Sequence, residues 1–266
     1  MKAIINGINM AWDDNGSGPA VCLIHGFPLD RRMWRPQIGP LVAAGYRVIT
    51  PDLRGFGESD APEEAYSMEL FSDDVAALLE HVGIGRAVIG GMSMGGYVLF
   101  SILERHPALA AAACFICTRS GADDAAGRER RSSLANAVLS SGARVAADSF
   151  VDVLFADETA KSQPHLVAEV YGRMTVNRPT GVAGGLLAMR ERKDFTPLLG
   201  SFQMPSLVIG ADGDRAAPVE NARALAAGLP NGTLRVIGGA GHMANLEKPE
   251  EFNECLLGFL RSLPPC

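Results

Sequence analysis

Along the first half of the chain, short unbroken apolar runs alternate with turns and amphipathic stretches. Ala20-Val21-Cys22-Leu23-Ile24, Tyr46 to Thr50, Arg86-Ala87-Val88-Ile89 and Ala111 to Cys117 each read as a strand covered on both faces. Ahead of them, Lys2 to Asn6 and Asn9 to Trp12 predict a hairpin or meander, and Asn15-Gly16-Ser17-Gly18-Pro19 predicts a turn. Ser67 to Val82 has the helical period, with Ser67 as N-cap and Asp73 and Asp74 in the exposed stripe. Tyr97 to Arg105 is a second amphipathic helix. Strands alternating with helices predict an α/β chain with a mostly parallel sheet flanked by helices.

The pattern changes at about Ser120. From there to Phe195 the sequence is helical and charged with no convincing strand, and the alternation resumes at Ser206 to Gly210 and Thr233 to Ile237, closing on a helix from Pro249 to Leu260. The expected organisation is an α/β core over 1–119 and 196–266, interrupted by an inserted helical cap over 120–195.

The run Gly91-Met92-Ser93-Met94-Gly95 falls between a strand and a helix, so this G-x-S-x-G reads as a nucleophile elbow. The turn leaves no room for a Cβ two residues before or after the serine, and it lifts the serine Oγ clear of the sheet. A serine hydroxyl needs a base, and the base needs a carboxylate to hold it. The chain offers His242, in the loop after the last predicted strand, and Asp212 and Asp214 in the loop after the strand before. In parallel sheets such loops converge on the ligand crevice. The residue after the nucleophile, Met94, supplies one backbone N–H to an oxyanion hole.

Composition narrows the class. The 266 residues are 47% hydrophobic and carry a formal net charge of -6, which gives no reason to expect nucleic acid or an anionic membrane as partner. The N-terminus has no signal-like apolar segment, so the expected location is cytoplasmic. There is no G-K-[ST] phosphate cradle and no histidine cluster at metal-ligand spacing; neither cofactor nor metal is expected. The five cysteines are irregularly spaced. Cys114 and Cys117, three apart on a predicted strand, should point to opposite faces as buried apolar groups.

Taken with His25-Gly26-Phe27-Pro28, Asp52-Leu53-Arg54-Gly55-Phe56-Gly57-Glu58-Ser59, the acid loop ending at Pro218 and Gly241-His242, the elbow makes the chain resemble the α/β-hydrolase family from end to end. Within it the chain is similar to the small bacterial esterase and 3-oxoadipate enol-lactonase group, through Phe27 to Trp34, Gly91 to Gly96 and Met243 to Glu250. The resemblance implies the α/β-hydrolase fold and a catalytic triad of Ser93, Asp214 and His242, the acid lying four residues before the loop proline. It implies an oxyanion hole of the Phe27 and Met94 N–H groups. The chain departs from the family's usual pattern in one place: Gly210 to Asp214 is one residue longer, which keeps Asp212 in play, with Asp123 and Asp124 as remote candidates.

The implied activity is hydrolysis of a small-molecule ester or lactone through an acyl-enzyme on Ser93. The alternatives are a perhydrolase, C–C bond hydrolase or acyltransferase with the same triad, or a ligand receptor on this fold. His25 is expected to shape the early loop, and His81 and His106 to end helices at the surface; His165 lies in the cap, where it could reach a substrate. Trp34 is either pocket wall or core. The cap's Leu, Val, Met and Phe predict a largely apolar pocket. One of Arg128, Arg130, Arg131, Arg173, Arg178, Arg190 and Arg192 could bind a carboxylate, although solvated surface is the commoner fate of such residues. Oligomeric state is not encoded legibly.

Overall fold

The computed structural model describes residues 1–264. The strands are β1 (Lys2–Ile5), β2 (Ile8–Asn15), β3 (Ala20–Ile24), β4 (Arg47–Pro51), β5 (Ala87–Met92), β6 (Ala110–Ile116), β7 (Ser206–Ala211) and β8 (Gly232–Ile237). They form a single sheet in the order β1-β2-β4-β3-β5-β6-β7-β8. β1 and β2 pair as an antiparallel hairpin and β2 runs antiparallel to β4, while β4, β3, β5, β6, β7 and β8 are mutually parallel. Their carboxyl ends therefore meet on one edge.

The unbroken apolar runs follow from burial on both faces. On β3, Val21 and Leu23 join one apolar cluster and Cys22 and Ile24 the other, as the two-residue period requires. The helices are α1 (Arg35–Ala43), α2 (Met68–His81), α3 (Met94–Arg105), α4 (Ala125–Ser141), α5 (Arg144–Leu154), α6 (Asp157–Ser162), α7 (Pro164–Thr175), α8 (Pro179–Glu191), α9 (Val219–Gly228), α10 (Ala244–Glu247) and α11 (Pro249–Ser262). Phe71, Val75 and Leu78 of α2 and Val98, Leu99 and Ile102 of α3 cover one face. Trp34, Leu41 of α1, and Phe252 and Leu256 of α11 cover the other. Trp34 is wholly buried beside Phe252, so it belongs to the core. Ser67 caps α2 by accepting from the Leu70 N–H at 3.0 Å.

Two details differ from the periodicity. Asp74 is fully buried, not in an exposed stripe, because Arg54 grips both its oxygens at 2.7 and 2.8 Å and Asn6 Nδ2 donates to it at 2.8 Å. The strand β6 stops at Ile116, and Cys117 turns out of it with φ 45°. Alternation ends there, so Cys114 and Cys117 share one apolar cluster, both as free thiols.

The helices α4 to α8 lie between β6 and β7 in sequence. Polar struts tie them to the core: Asn177 Nδ2 donates to the Pro28 carbonyl at 2.8 Å, Arg178 Nη1 to the Ser59 carbonyl at 2.7 Å, and the Met243 N–H to the Leu154 carbonyl at 3.1 Å. At the start of α8 the backbones of Gly181 and Gly55 touch; a Cβ on Gly181 would stand 1.8 Å from the Gly55 oxygen. No helix among the described residues is long and apolar enough to cross a membrane.

Candidate active site

The carboxyl edge gathers the residues singled out in the sequence. Between β5 and α3, Ser93 adopts φ 53° and ψ -112°, a backbone state that costs a non-glycine residue about 1–3 kcal/mol and persists only where its surroundings enforce it. The enforcement is visible. A Cβ on Gly91 would lie 2.1 Å from the Gly95 oxygen, and one on Gly95 would lie 2.4 Å from the Ile24 oxygen. The Ser93 N–H donates to the Ile116 carbonyl at 2.9 Å, and Thr118 Oγ1 donates to the Ser93 carbonyl at 2.8 Å. The elbow is thus pinned between the ends of β3 and β6.

His242 follows β8, and its Nδ1 donates to Asp214 Oδ2 at 2.8 Å, both residues being buried. The other oxygen, Oδ1, accepts the Ala216 and Ala217 N–H groups at 2.9 and 2.8 Å, which fixes the carboxylate. The longer spacing from Gly210 is absorbed by the turn, where the Asp214 N–H reaches the Ala211 carbonyl at 3.4 Å. Asp212 lies away from the imidazole and accepts the Gly239 N–H at 2.7 Å. Asp123 is held by Arg119, Arg131 and Arg192, and Asp124 caps α4 through the Gly127 N–H, so neither reaches His242. The structure brings His242 to Asp214. It makes no hydrogen bond from Ser93 Oγ to the imidazole among the described residues; in such sites that contact commonly tightens only when substrate binds.

In the early loop, His25 is wholly buried. Burial lowers its pKa against the pull of Asp52, so the ring is neutral; Nε2 accepts the Leu53 N–H at 3.0 Å and Nδ1 donates to the Gly26 carbonyl at 2.9 Å. Both nitrogens are spent on shaping the loop. The N–H groups of Phe27 and of Met94, the first residue of α3, meet no protein acceptor among the described residues. A Cβ on Gly26 would lie 2.4 Å from the Met92 sulfur and 3.5 Å from the Ser93 Cβ, so the two loops touch. His165 is exposed on α7, His81 ends α2 against Trp12, and His106 ends α3 with Nε2 on Asp73 at 2.7 Å.

Two residues of this neighbourhood carry no sequence signal of their role. Glu247 is buried, with Oε1 accepting the Gly241 N–H at 2.9 Å and Oε2 the Ala156 N–H at 3.0 Å. It joins the His242 loop to Ala156, in the turn between α5 and α6. Cys117 places its sulfur within 4.8 Å of the ligand atoms of Asp214 and His242, a grouping that could enclose a metal ion. Burial, reinforced by Asp214, holds the thiol pKa far above its ordinary value, and a protonated thiol is a poor metal ligand.

Comparison with known proteins places this geometry in context. The family profile for the alpha/beta hydrolase fold matches residues 19–249. A thermophilic esterase from Thermogutta terrifontis superposes with a TM-score of 0.95 at 35% identity, covering 99% of this chain and 98% of that one. The enol-lactonase from Burkholderia xenovorans superposes with a TM-score of 0.90 at 25% identity, covering 98% and 100%. A non-heme chloroperoxidase from Kitasatospora aureofaciens is 29% identical over 269 residues, 96% of this chain and 97% of its own length.

Proposed function

Since the chain belongs to the α/β-hydrolase family, we propose that it is a serine hydrolase cleaving a small carboxylic ester or lactone. The observation that carries this reading is the buried His242–Asp214 hydrogen bond of 2.8 Å, set on the same sheet edge as the strained Ser93. Asp214 accepts a hydrogen bond from the Nδ1–H group, which holds the tautomer whose Nε2 lone pair is free. His242 takes the Ser93 proton as Oγ attacks the carbonyl carbon, and the Phe27 and Met94 N–H groups receive the developing oxyanion. His242 then protonates the leaving oxygen, and water, activated by the same imidazole, releases the acid. One oxyanion donor is worth about 3–4 kcal/mol in the transition state.

The test is turnover of 4-nitrophenyl esters by wild type and Ser93→Ala. The expected loss in kcat is roughly 10⁴–10⁶. Retained turnover in Ser93→Ala would overturn the assignment. The chloroperoxidase relative favours a second reading on the same acyl-enzyme, in which hydrogen peroxide replaces water and the product is a peracid. Competition of peroxide against water for one acyl donor measures the balance between the two.

A further inference from the structure

The described residues include three non-glycine residues with left-handed φ: Asn6 at 44°, Ser93 at 53° and Cys117 at 45°. Asn6 lies in the turn between β1 and β2, and asparagine tolerates such a state. Ser93 is the proposed nucleophile. Cys117 is the first residue after β6, and the hydrolytic steps leave its side chain unused. Glycine there would relieve the strain and forfeit the thiol. Such a backbone persists only where its surroundings hold it. The Cys117 N–H donates to the Ile209 carbonyl of β7 at 2.8 Å, and Thr118, the next residue, donates through Oγ1 to the Ser93 carbonyl at 2.8 Å. The turn is thus anchored on one side to the strand that leads to Asp214 and on the other to the elbow that carries Ser93.

This anchoring sets the sulfur beside the acid. Cys117 Sγ, an Asp214 oxygen and a His242 nitrogen lie within 4.8 Å of one another, and all three residues are buried. Asp214 Oδ1 accepts two backbone N–H groups, from Ala216 and Ala217, whereas Oδ2 accepts the His242 Nδ1–H. A carboxylate oxygen has room for two donors, so the open position is on the oxygen that faces the imidazole. Burial, then the Asp214 charge and a hydrogen bond to its carboxylate, hold the thiol pKa far above its ordinary value; the Glu247 charge adds to them, and the Ala244 N–H pulls weakly the other way. The thiol therefore keeps its proton. The titratable groups facing it are Asp214 from the loop after β7, His242 from the loop after β8 and Glu247 from α10. Cys114 of β6, in the same apolar cluster, is kept a neutral thiol by burial.

Resting on the serine-hydrolase reading, we propose that Cys117 is a positioning residue for the acid: its S–H donates to the open side of Asp214 Oδ2 and sets how strongly that oxygen supports the imidazolium. It touches no substrate and forms no covalent bond. A donor on a carboxylate oxygen spreads the negative charge there, and a thiol is a weak donor, so its effect is a slight one. Removing it concentrates charge on Oδ2, favours protonated His242 and moves the acid limb of the rate profile to higher pH. A stronger donor in the same place moves the limb to lower pH.

The test is the profile of kcat/KM for 4-nitrophenyl butyrate across the range in which histidine titrates, about pH 5–8, in wild type, Cys117→Ala and Cys117→Ser. Neither substitution introduces a β-branch, so the left-handed backbone is no more strained than with cysteine. In Cys117→Ala the acid limb should rise by about half a pH unit, and in Cys117→Ser, where a hydroxyl replaces the thiol, it should fall by a similar amount. Cys114→Ala should leave it in place. Limbs that coincide in all of these proteins, or that move the same way in both Cys117 variants, would overturn the proposal and leave the hydrolase standing. Should Cys117→Ala not fold, Cys117→Ser decides: a limb at or above the wild-type pH overturns the proposal. If wild type turns over no ester, the hydrolase reading falls and NMR of histidine-labelled protein decides the contact alone. The Nδ1 resonance of His242, identified by its loss in His242→Gln, should move downfield in Cys117→Ala and upfield in Cys117→Ser, and equal positions refute the contact.

Discussion

Replacing Glu247 with glutamine removes a charge and one acceptor while keeping shape. In the native protein the two carboxylate oxygens take the N–H groups of Gly241 and Ala156, two backbone segments in direct contact: a Cβ on Gly241 would lie 2.3 Å from the Ala156 nitrogen. The glutamine oxygen can serve one N–H; its NH2 group then confronts the other. The loss is one charge-assisted hydrogen bond plus one buried N–H without an acceptor, together about 2–4 kcal/mol. For a chain of this size that is a fall in Tm of roughly 4–16 °C. The consequence for rate follows from position, because Gly241 immediately precedes His242. A displaced imidazole should lower kcat/KM for a 4-nitrophenyl ester by roughly 10- to 100-fold, with Asp214 and Ser93 untouched. Thermal denaturation and steady-state kinetics on Glu247→Gln and Glu247→Ala measure both effects, with alanine expected to be worse. A Glu247→Gln protein that melts and turns over like wild type would refute the strut.

Three further outcomes are expected. Asp214→Asn should lower kcat roughly 10⁴-fold while the far-UV CD spectrum stays unchanged, since it spoils the His242 tautomer and little else. Gly95→Ala puts a methyl 2.4 Å from the Ile24 oxygen and 2.8 Å from the His25 oxygen, both backbone, so it should destabilise by about 1–3 kcal/mol in urea unfolding and displace the Ser93 turn. Burial pushes the Asp123 carboxyl up, but its bonds to Arg192 and Arg131 prevail and hold it well below the usual carboxylate range. Its contribution is present above the unfolded pKa of about 3.9 and is lost as pH falls through the depressed folded value. Urea unfolding measured from pH 7 downward should therefore lose that contribution in wild type and show none of it in Asp123→Asn, which at pH 7 should cost about 1–3 kcal/mol by replacing the charge-assisted bond to Arg192, whose other N–H groups stay on the Gly121 and Met189 carbonyls.

Much of this was written locally. β3 occupies the apolar run Ala20–Ile24 residue for residue, and the Ser67 cap and the elbow glycines act where they stand. Strand period, capping and turn sterics operate over a few residues, so a short window contains them. The burial of Asp74 depends on Arg54, twenty positions away, and no helical period could announce it. Glu247 is less legible still. One of its partners lies 91 positions away, and both are backbone N–H groups, which leave no trace in side-chain identity. Loop position offers Asp212 and Asp214 as the acid, with Asp123 and Asp124 remote, and only the folded turn brings Asp214 to His242 and Asp212 to Gly239.

The contact between Gly55 and Gly181 bears on how such enzymes are recombined. At this seam the backbone of the helical segment meets that of the loop after β4 with no side chain between them. A donated segment with alanine at position 181 would have to move its Cβ from 1.8 Å to at least 3.0 Å from the Gly55 oxygen. That lift would be felt at Asn177, two residues before α8, whose amide reaches across to Pro28 beside the Phe27 N–H. Chimeras should therefore sort by the residue at this one position, with those lacking the glycine losing activity however well their pocket side chains match.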